Sequence, residues 1–158
     1  MGNYRNIELD FITRTLALIS QYEALVHRYE FKEQYNYTLL LNCLLGLVVM
    51  PKERTITHIP ADRITQELRR EMGLVESWVD PDIITLRQLI VKLRHAIAHF
   101  DIEITSDNQE DFLIDKIVFR DSERENSPEI ARFSSSELLP FIRYYANWLI
   151  SNIERYEN

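Results

Sequence analysis

Apolar residues recur at helical spacing near the start of the chain, at Ile7, Phe11, Ile12, Leu16, Ile19, Tyr22 and Val26, and predict a long amphipathic helix from Ile7 to about Tyr29. A second helix, from about Lys32 to Val49, is apolar nearly all round and therefore belongs at the centre of a bundle, with Pro51 ending it. The polar connection "KERTITHIPADR" leads to a shorter helix, Ala61 to Met72, closed by Gly73 as a C-terminal glycine. Asp80 and Pro81 read as the N-cap and first position of a helix running to about Phe100. The period then changes. "IEIT" (102–105) and "FLIDKIVFRD" (112–121) alternate apolar with polar residues around "SDNQED", the pattern of a β-hairpin. A polar loop near Pro128 follows, and "SSSE" (134–137) offers a capping box to a last helix reaching about Tyr156, with Pro140 inside its first turns. The expected fold is all-α: about five helices in a bundle, a small β-hairpin before the last, and residues 1–158 as a single domain.

Composition supports an ordered domain. Hydrophobic residues make up 46% of the 158, and there are only three glycines. The single cysteine, Cys43, rules out an intramolecular disulfide framework and a cysteine-built zinc cage, which fits a reducing, cytoplasmic setting. The longest apolar run, "LLLNCLLGLVVM" (39–50), contains Asn42 and falls well short of the roughly 20 residues a bilayer span needs. No secretory leader is visible, and no membrane association is expected.

The formal charge of −7 disfavours a nucleic-acid partner until its distribution is examined. Between Asp101 and Glu129 ten acidic residues face three basic ones, so this segment carries the whole net charge. The remainder is balanced, and a local basic groove there is allowed.

The chemistry concentrates in "VKLRHAIAHFDIE" (91–103), where Arg94, His95 and His99 interrupt an otherwise buried helix. At about 100° per residue, His95 and His99 share a face, Arg87 and Arg94 lie nearly on one line, and Arg94 sits about 140° from His99. Two copies of this helix across a twofold axis could gather two arginines and two histidines in one cleft. Such a cleft suits RNA cleavage. Arginine holds phosphate oxygens, histidine moves protons near neutrality, and RNA supplies its own 2′-hydroxyl as nucleophile. The residues alone leave two other readings open. A histidine on an apolar helix can be a hydrogen-bonded core residue, and His95-x-x-x-His99 has the two-histidine spacing of zinc helices, with Asp101 or Glu103 as further ligands. No metal is expected, because the intervening Glu, a Cys and a third His are all missing.

The run Arg94-His95-Ala96-Ile97-Ala98-His99 resembles the Arg-polar-x-x-x-His signature of HEPN domains. The surrounding "LRHAIAHFDIE" is similar to bacterial members linked to toxin–antitoxin, abortive-infection and plasmid systems, and "LLLNCLLGLVVMPKE" is similar to the second helix of one such subfamily. The resemblance covers most of the chain. It implies a dimeric, metal-independent endoribonuclease without cofactor, acting as a toxin or phage-defence effector. Arg94 would hold the scissile phosphate, His99 would act as general acid or base, and His95 would orient them or share in proton transfer. Arg87 and Lys92 are the candidate RNA-backbone contacts. No nucleotidyltransferase partner domain is visible, so an antitoxin would be a separate chain. The rival reading is a catalytically silent module of the same fold that binds RNA, nucleotide or a protein. A metal-dependent hydrolase is a third.

Overall fold

The computed structural model describes residues 4–50, 59, 61–107 and 114–157. Among these lie five α-helices: α1 (Ile7–Leu25), α2 (Asn36–Val49), α3 (Gln66–Glu71), α4 (Leu86–Ala98) and α5 (Ser135–Glu157). Four strands accompany them: β1 (Trp78–Val79), β2 (Ile102–Thr105), β3 (Lys116–Arg120) and β4 (Glu129–Ser134). Pro51, Lys52, Glu53 and His58, and most of the connection between β2 and β3, fall outside the described residues.

Local chemistry explains the helix starts. Asn6 caps α1, its side-chain oxygen accepting from the amides of Glu8 (3.1 Å) and Leu9 (3.2 Å), with Glu8 and Asp10 placed favourably in the first turn. α1 is shorter than its apolar pattern, because the chain tightens into 3₁₀ turns at Val26–Arg28 and again at Phe31–Glu33 before α2 begins. The hydroxyl of Tyr22 accepts from the Tyr35 amide at 2.7 Å and ties this connection back to α1. Gly46 lets α1 and α2 come close: a Cβ there would lie 2.8 Å from the Phe11 ring.

α3 ends as its glycine predicts. Gly73 has φ +73, and the amides of Gly73 and Leu74 return to the carbonyls of Arg70 and Arg69, a Schellman motif. Arg69 then donates from Nε to the Leu74 carbonyl and from its guanidinium to that of Ser77, so it holds the chain leaving α3.

Two expectations need correction. Asp80 and Pro81 do not open α4. The Asp80 amide is tied to the Ile130 carbonyl in β4, and Asp80 Oδ1 accepts from the Asp82 amide in a local turn. Ile84 accepts from Ile64, and Thr85 bridges to Arg63, which keeps this stretch extended. α4 starts instead at a capping box: Thr85 Oγ1 accepts from the Gln88 amide while Gln88 Oε1 accepts from the Thr85 and Ile84 amides.

The fold is also not strictly all-α. The expected hairpin exists, with Ile102 opposite Phe119 and Thr105 opposite Lys116, but it is half of a four-stranded antiparallel sheet of order β1-β4-β3-β2. β4 hid in the supposed polar loop. It buries Ile130, Ala131 and Phe133 but carries Glu129 and Arg132 among them, so its alternation is broken. β1 has two residues, too few to show a period.

The core joins the two parts. α2 gives Leu44, Leu47 and Val48; α4 gives Leu89, Ile90, Leu93 and Ala96; α5 gives Leu138, Phe141, Ile142, Tyr145 and Leu149. α1 packs on α5 and α2, while β3 and β4 close over α4. An aromatic series runs from sheet into bundle: Phe119 to Phe133 at 5.3 Å, Phe133 to Phe141 at 5.1 Å, then Tyr145 and Trp148 at successive 6.3 Å centroid spacings. Phe141 and Tyr145 of α5 are therefore core residues, with Tyr144 and Trp148 partly buried against the core. No helix among the described residues is long and apolar enough to cross a membrane.

Candidate active site

α4 buries Leu86, Leu89, Ile90, Leu93, Ala96 and Ile97 along one face. Its apolar stripe fixes the rotation of the helix, and that rotation decides where the motif residues emerge. Arg94 is half-buried on the flank facing α5, near Tyr145. His95 and His99, one turn apart, stand on the other flank with ring centroids 4.4 Å apart and planes tilted by 42°.

The end of the helix keeps this group at the surface. His99 is the C-cap, the Phe100 amide returns to the Ile97 carbonyl and the Asp101 amide to that of Ala96. This is a second Schellman motif, but its left-handed position is Phe100, at φ +59, where glycine is usual. Phe100 is 82% exposed beside His99, whose own side chain is half exposed.

Facing the histidines is a residue that the motif did not signal. Glu123 lies in the loop after β3, with Oε2 at 3.3 Å from His95 Nε2 and Oε1 at 3.9 Å from His99 Nε2. The loop is pinned on both sides of α4's exit. Asp121, 4% exposed, accepts from Lys92 Nζ at 2.6 Å, its amide donates to the Pro128 carbonyl, and Ser122 Oγ donates to the carboxylate of Asp101. The Lys92 hydrogen bond, foremost, holds the Asp121 carboxyl below the usual range against the opposing effect of burial, with the charges of Lys92, His95 and Arg124 adding to it.

The expected basic residues thus divide. The ammonium of Lys92 is already committed to Asp121, and Arg87 donates from Nε to the Ile59 carbonyl at 2.7 Å. Arg94 differs: among the described residues its guanidinium meets no hydrogen-bond acceptor and no carboxylate. Its near neighbour is the Tyr145 hydroxyl, which is buried and lacks a hydrogen-bond partner among the described residues. Burial raises the Tyr145 phenol far above its ordinary value, and the positive charge of Arg94 opposes that rise. Asn42 donates to the Thr38 carbonyl one turn back, so its place in the apolar α2 has a structural account.

Asp121 and Glu123 escaped the sequence reading because they are far along the chain from α4, within an acidic stretch where each resembles its neighbours. No local spacing singles them out. Only the β3–β4 connection brings them over the histidines.

A family profile described as HEPN pEK499 p136 matches residues 1–156. No curated protein and no solved structure matches the chain. The profile spans almost the whole sequence, both the helical bundle and the sheet that closes over α4, and the chain belongs to the HEPN family.

Proposed function

We propose that the protein is a metal-independent endoribonuclease that works as a homodimer, with Arg94, His99 and His95 as its catalytic residues. The observation that carries this reading is the state of the motif. Arg94 has no competing carboxylate among the described residues, and two partly exposed imidazoles occupy the other flank of the same helix end. The family is associated in general with ribonucleases, which supports the same class.

The chemistry needs only these groups and the substrate. A neutral imidazole takes the proton of the 2′-hydroxyl, and the 2′-oxygen attacks phosphorus. The 5′-oxygen leaves with a proton from an imidazolium, giving a 2′,3′-cyclic phosphate and a 5′-hydroxyl. Arg94 holds the non-bridging oxygens as charge builds on them. Attacking and leaving oxygens lie roughly in line on opposite sides of phosphorus. His95 and His99 of one copy crowd together on one flank, so a second copy across a twofold axis is the natural source of the opposite group. Arg87 and Lys92 take a lesser share of backbone contact, since part of each donor set is already engaged. The biological setting that fits is a toxin or phage-defence effector held in check by a separate antitoxin chain.

The test is RNA cleavage by the purified chain in excess EDTA, beside Arg94→Ala and His99→Ala. Cleavage that survives chelation and drops by roughly a hundredfold or more in each variant is the expected result. Cleavage abolished by EDTA, or unchanged in the variants, overturns the proposal. A chain that binds RNA without cutting it is the silent module instead.

A further inference from the structure

We infer that His95, His99 and Glu123 form a binding site for Zn²⁺, and that the metal acts as an inhibitor. The inhibitory role rests on the ribonuclease reading above; the site itself does not. The donor atoms of the three side chains all lie within 4.8 Å of one another. Around tetrahedral zinc, with bonds of about 2.0–2.1 Å, neighbouring donors are separated by roughly 3.3–3.5 Å. The His95 Nε2 to Glu123 Oε2 distance of 3.3 Å already matches that edge; His99 Nε2 lies 3.9 Å from the other carboxylate oxygen, Oε1, and must move inward to share Oε2. The His99 and Glu123 side chains are 50% and 63% exposed, so both have room to rotate inward.

A second observation points the same way. His95 Nε2 is shielded from solvent and, despite the nearby carboxylate, has no hydrogen bond among the described residues. A ring nitrogen shielded from water, without a hydrogen bond and facing a carboxylate, is a group that a cation placed between the two would satisfy. The site is also built rather than accidental: the hydrogen bonds of Asp121 to Lys92 and of Ser122 to Asp101 fix the loop two residues and one residue before Glu123. Two imidazoles and one carboxylate with the fourth position left to water are the ligand set of an open zinc site. At the level of the helix motif alone, metal is set aside because the intervening Glu, a Cys and a third His are missing, and Asp101 and Glu103 are the carboxylates that could complete a site. The folded chain supplies the third ligand from another element.

Occupancy has a direct consequence. A metal-bound imidazole nitrogen can neither accept nor donate a proton, so zinc removes both proton carriers while leaving Arg94 in place.

The experiment uses the full chain, stripped with EDTA, dialysed, and titrated with zinc sulfate against a chromophoric chelator. One zinc per chain is expected, with affinity falling roughly tenfold or more in His99→Ala and in Glu123→Gln. Glu123 is on the surface, so its variant keeps the fold, which far-UV circular dichroism checks. Equal zinc affinity in wild type and both variants overturns the site. In the cleavage assay, saturating zinc should stop the wild type, while Glu123→Gln should need a roughly tenfold higher zinc concentration for the same inhibition. Undiminished cleavage by the zinc-saturated wild type overturns the inhibitory role. Because chelator competition needs no RNA, a chain that binds zinc as expected yet cuts no RNA upholds the site and removes only the ribonuclease reading.

Discussion

Glu137 offers a severe test of how the bundle and the sheet are joined. Its position, three residues after Ser134, suggests a capping box for α5, yet its carboxylate turns outward to a different segment. Oε1 accepts from the amides of Val75 (2.9 Å) and Glu76 (2.9 Å), and Oε2 accepts from the amide (2.8 Å) and hydroxyl (2.6 Å) of Ser77. Ser77 Oγ in turn accepts from the Ser134 amide at 3.0 Å, so one carboxylate organises the chain before β1, the end of β4 and the start of α5. Replacing Glu137 by alanine strands these donors unequally. The Val75 and Glu76 amides are in exposed residues and regain water, at about 0.5 kcal/mol each. Ser77 is 3% exposed, and losing charged acceptance there costs about 2 kcal/mol. The expected loss is about 3 kcal/mol, a fall in Tm of roughly 6–12 °C for a chain of this size. Burial by itself raises the Glu137 carboxyl, and the Ser77 hydroxyl with the amides of Glu76, Ser77 and Val75 outweighs it, leaving the carboxyl below its usual value. A depressed folded pKa means that stability is present above the unfolded value of about 4.3 and is lost as pH falls through the folded one. Urea unfolding of wild type, Glu137→Ala and Glu137→Gln at neutral and acid pH measures both effects. A loss under 1 kcal/mol at pH 7, or a gap between wild type and Glu137→Ala that does not narrow in acid, refutes the assignment.

Other substitutions probe neighbouring features. Gly73→Ala should cost roughly 3 kcal/mol, because φ is +73 and the added Cβ would lie 2.4 Å from Pro140 Cβ; thermal unfolding within a degree of wild type would contradict this. Phe100→Gly should raise stability by up to about 1 kcal/mol, since it relieves a left-handed phenylalanine whose ring is mostly exposed, and a lower urea midpoint would argue against it. Asp121→Asn should lose about 1–2 kcal/mol, with the difference from wild type fading as pH falls through the depressed folded pKa of the carboxyl. Chemical denaturation at pH 7 and below pH 4 checks both halves of that expectation.

What could be read from the chain follows from the range of the forces involved. α1 announces itself by apolar spacing, α2 by an apolar run and the end of α3 by Gly73, because those signals act within a few residues. The catalytic candidates Arg94, His95 and His99 were visible for the same reason: one helix holds them all. α4's true start was obscured because Asp80 and Pro81 make a convincing local cap, whereas hydrogen bonds to Ile130 and Ile64 from distant parts of the chain prevail. β4 was lost because its partners, β3 and β1, decide its conformation more than its own alternation does. Glu123 belongs to the same class. Its meaning lies in a tertiary approach that no spacing encodes.

Part of the acidic stretch that gives the chain its net charge borders the outer strand of the sheet. Among the described residues β2 is an outer strand, with no strand paired on its far side and Ile104 47% exposed, the kind of border to which another molecule's strand can attach. It is only four residues long and is set between Asp101 and Asp107, with Glu103 within it paired to Arg120. Charged residues and short length at a sheet border are features that oppose strand-to-strand joining of copies. The same acidic stretch therefore divides: Asp101, Glu103 and Asp107 border the outer strand, while Asp121 engages Lys92 and Glu123 faces the histidines at the end of α4.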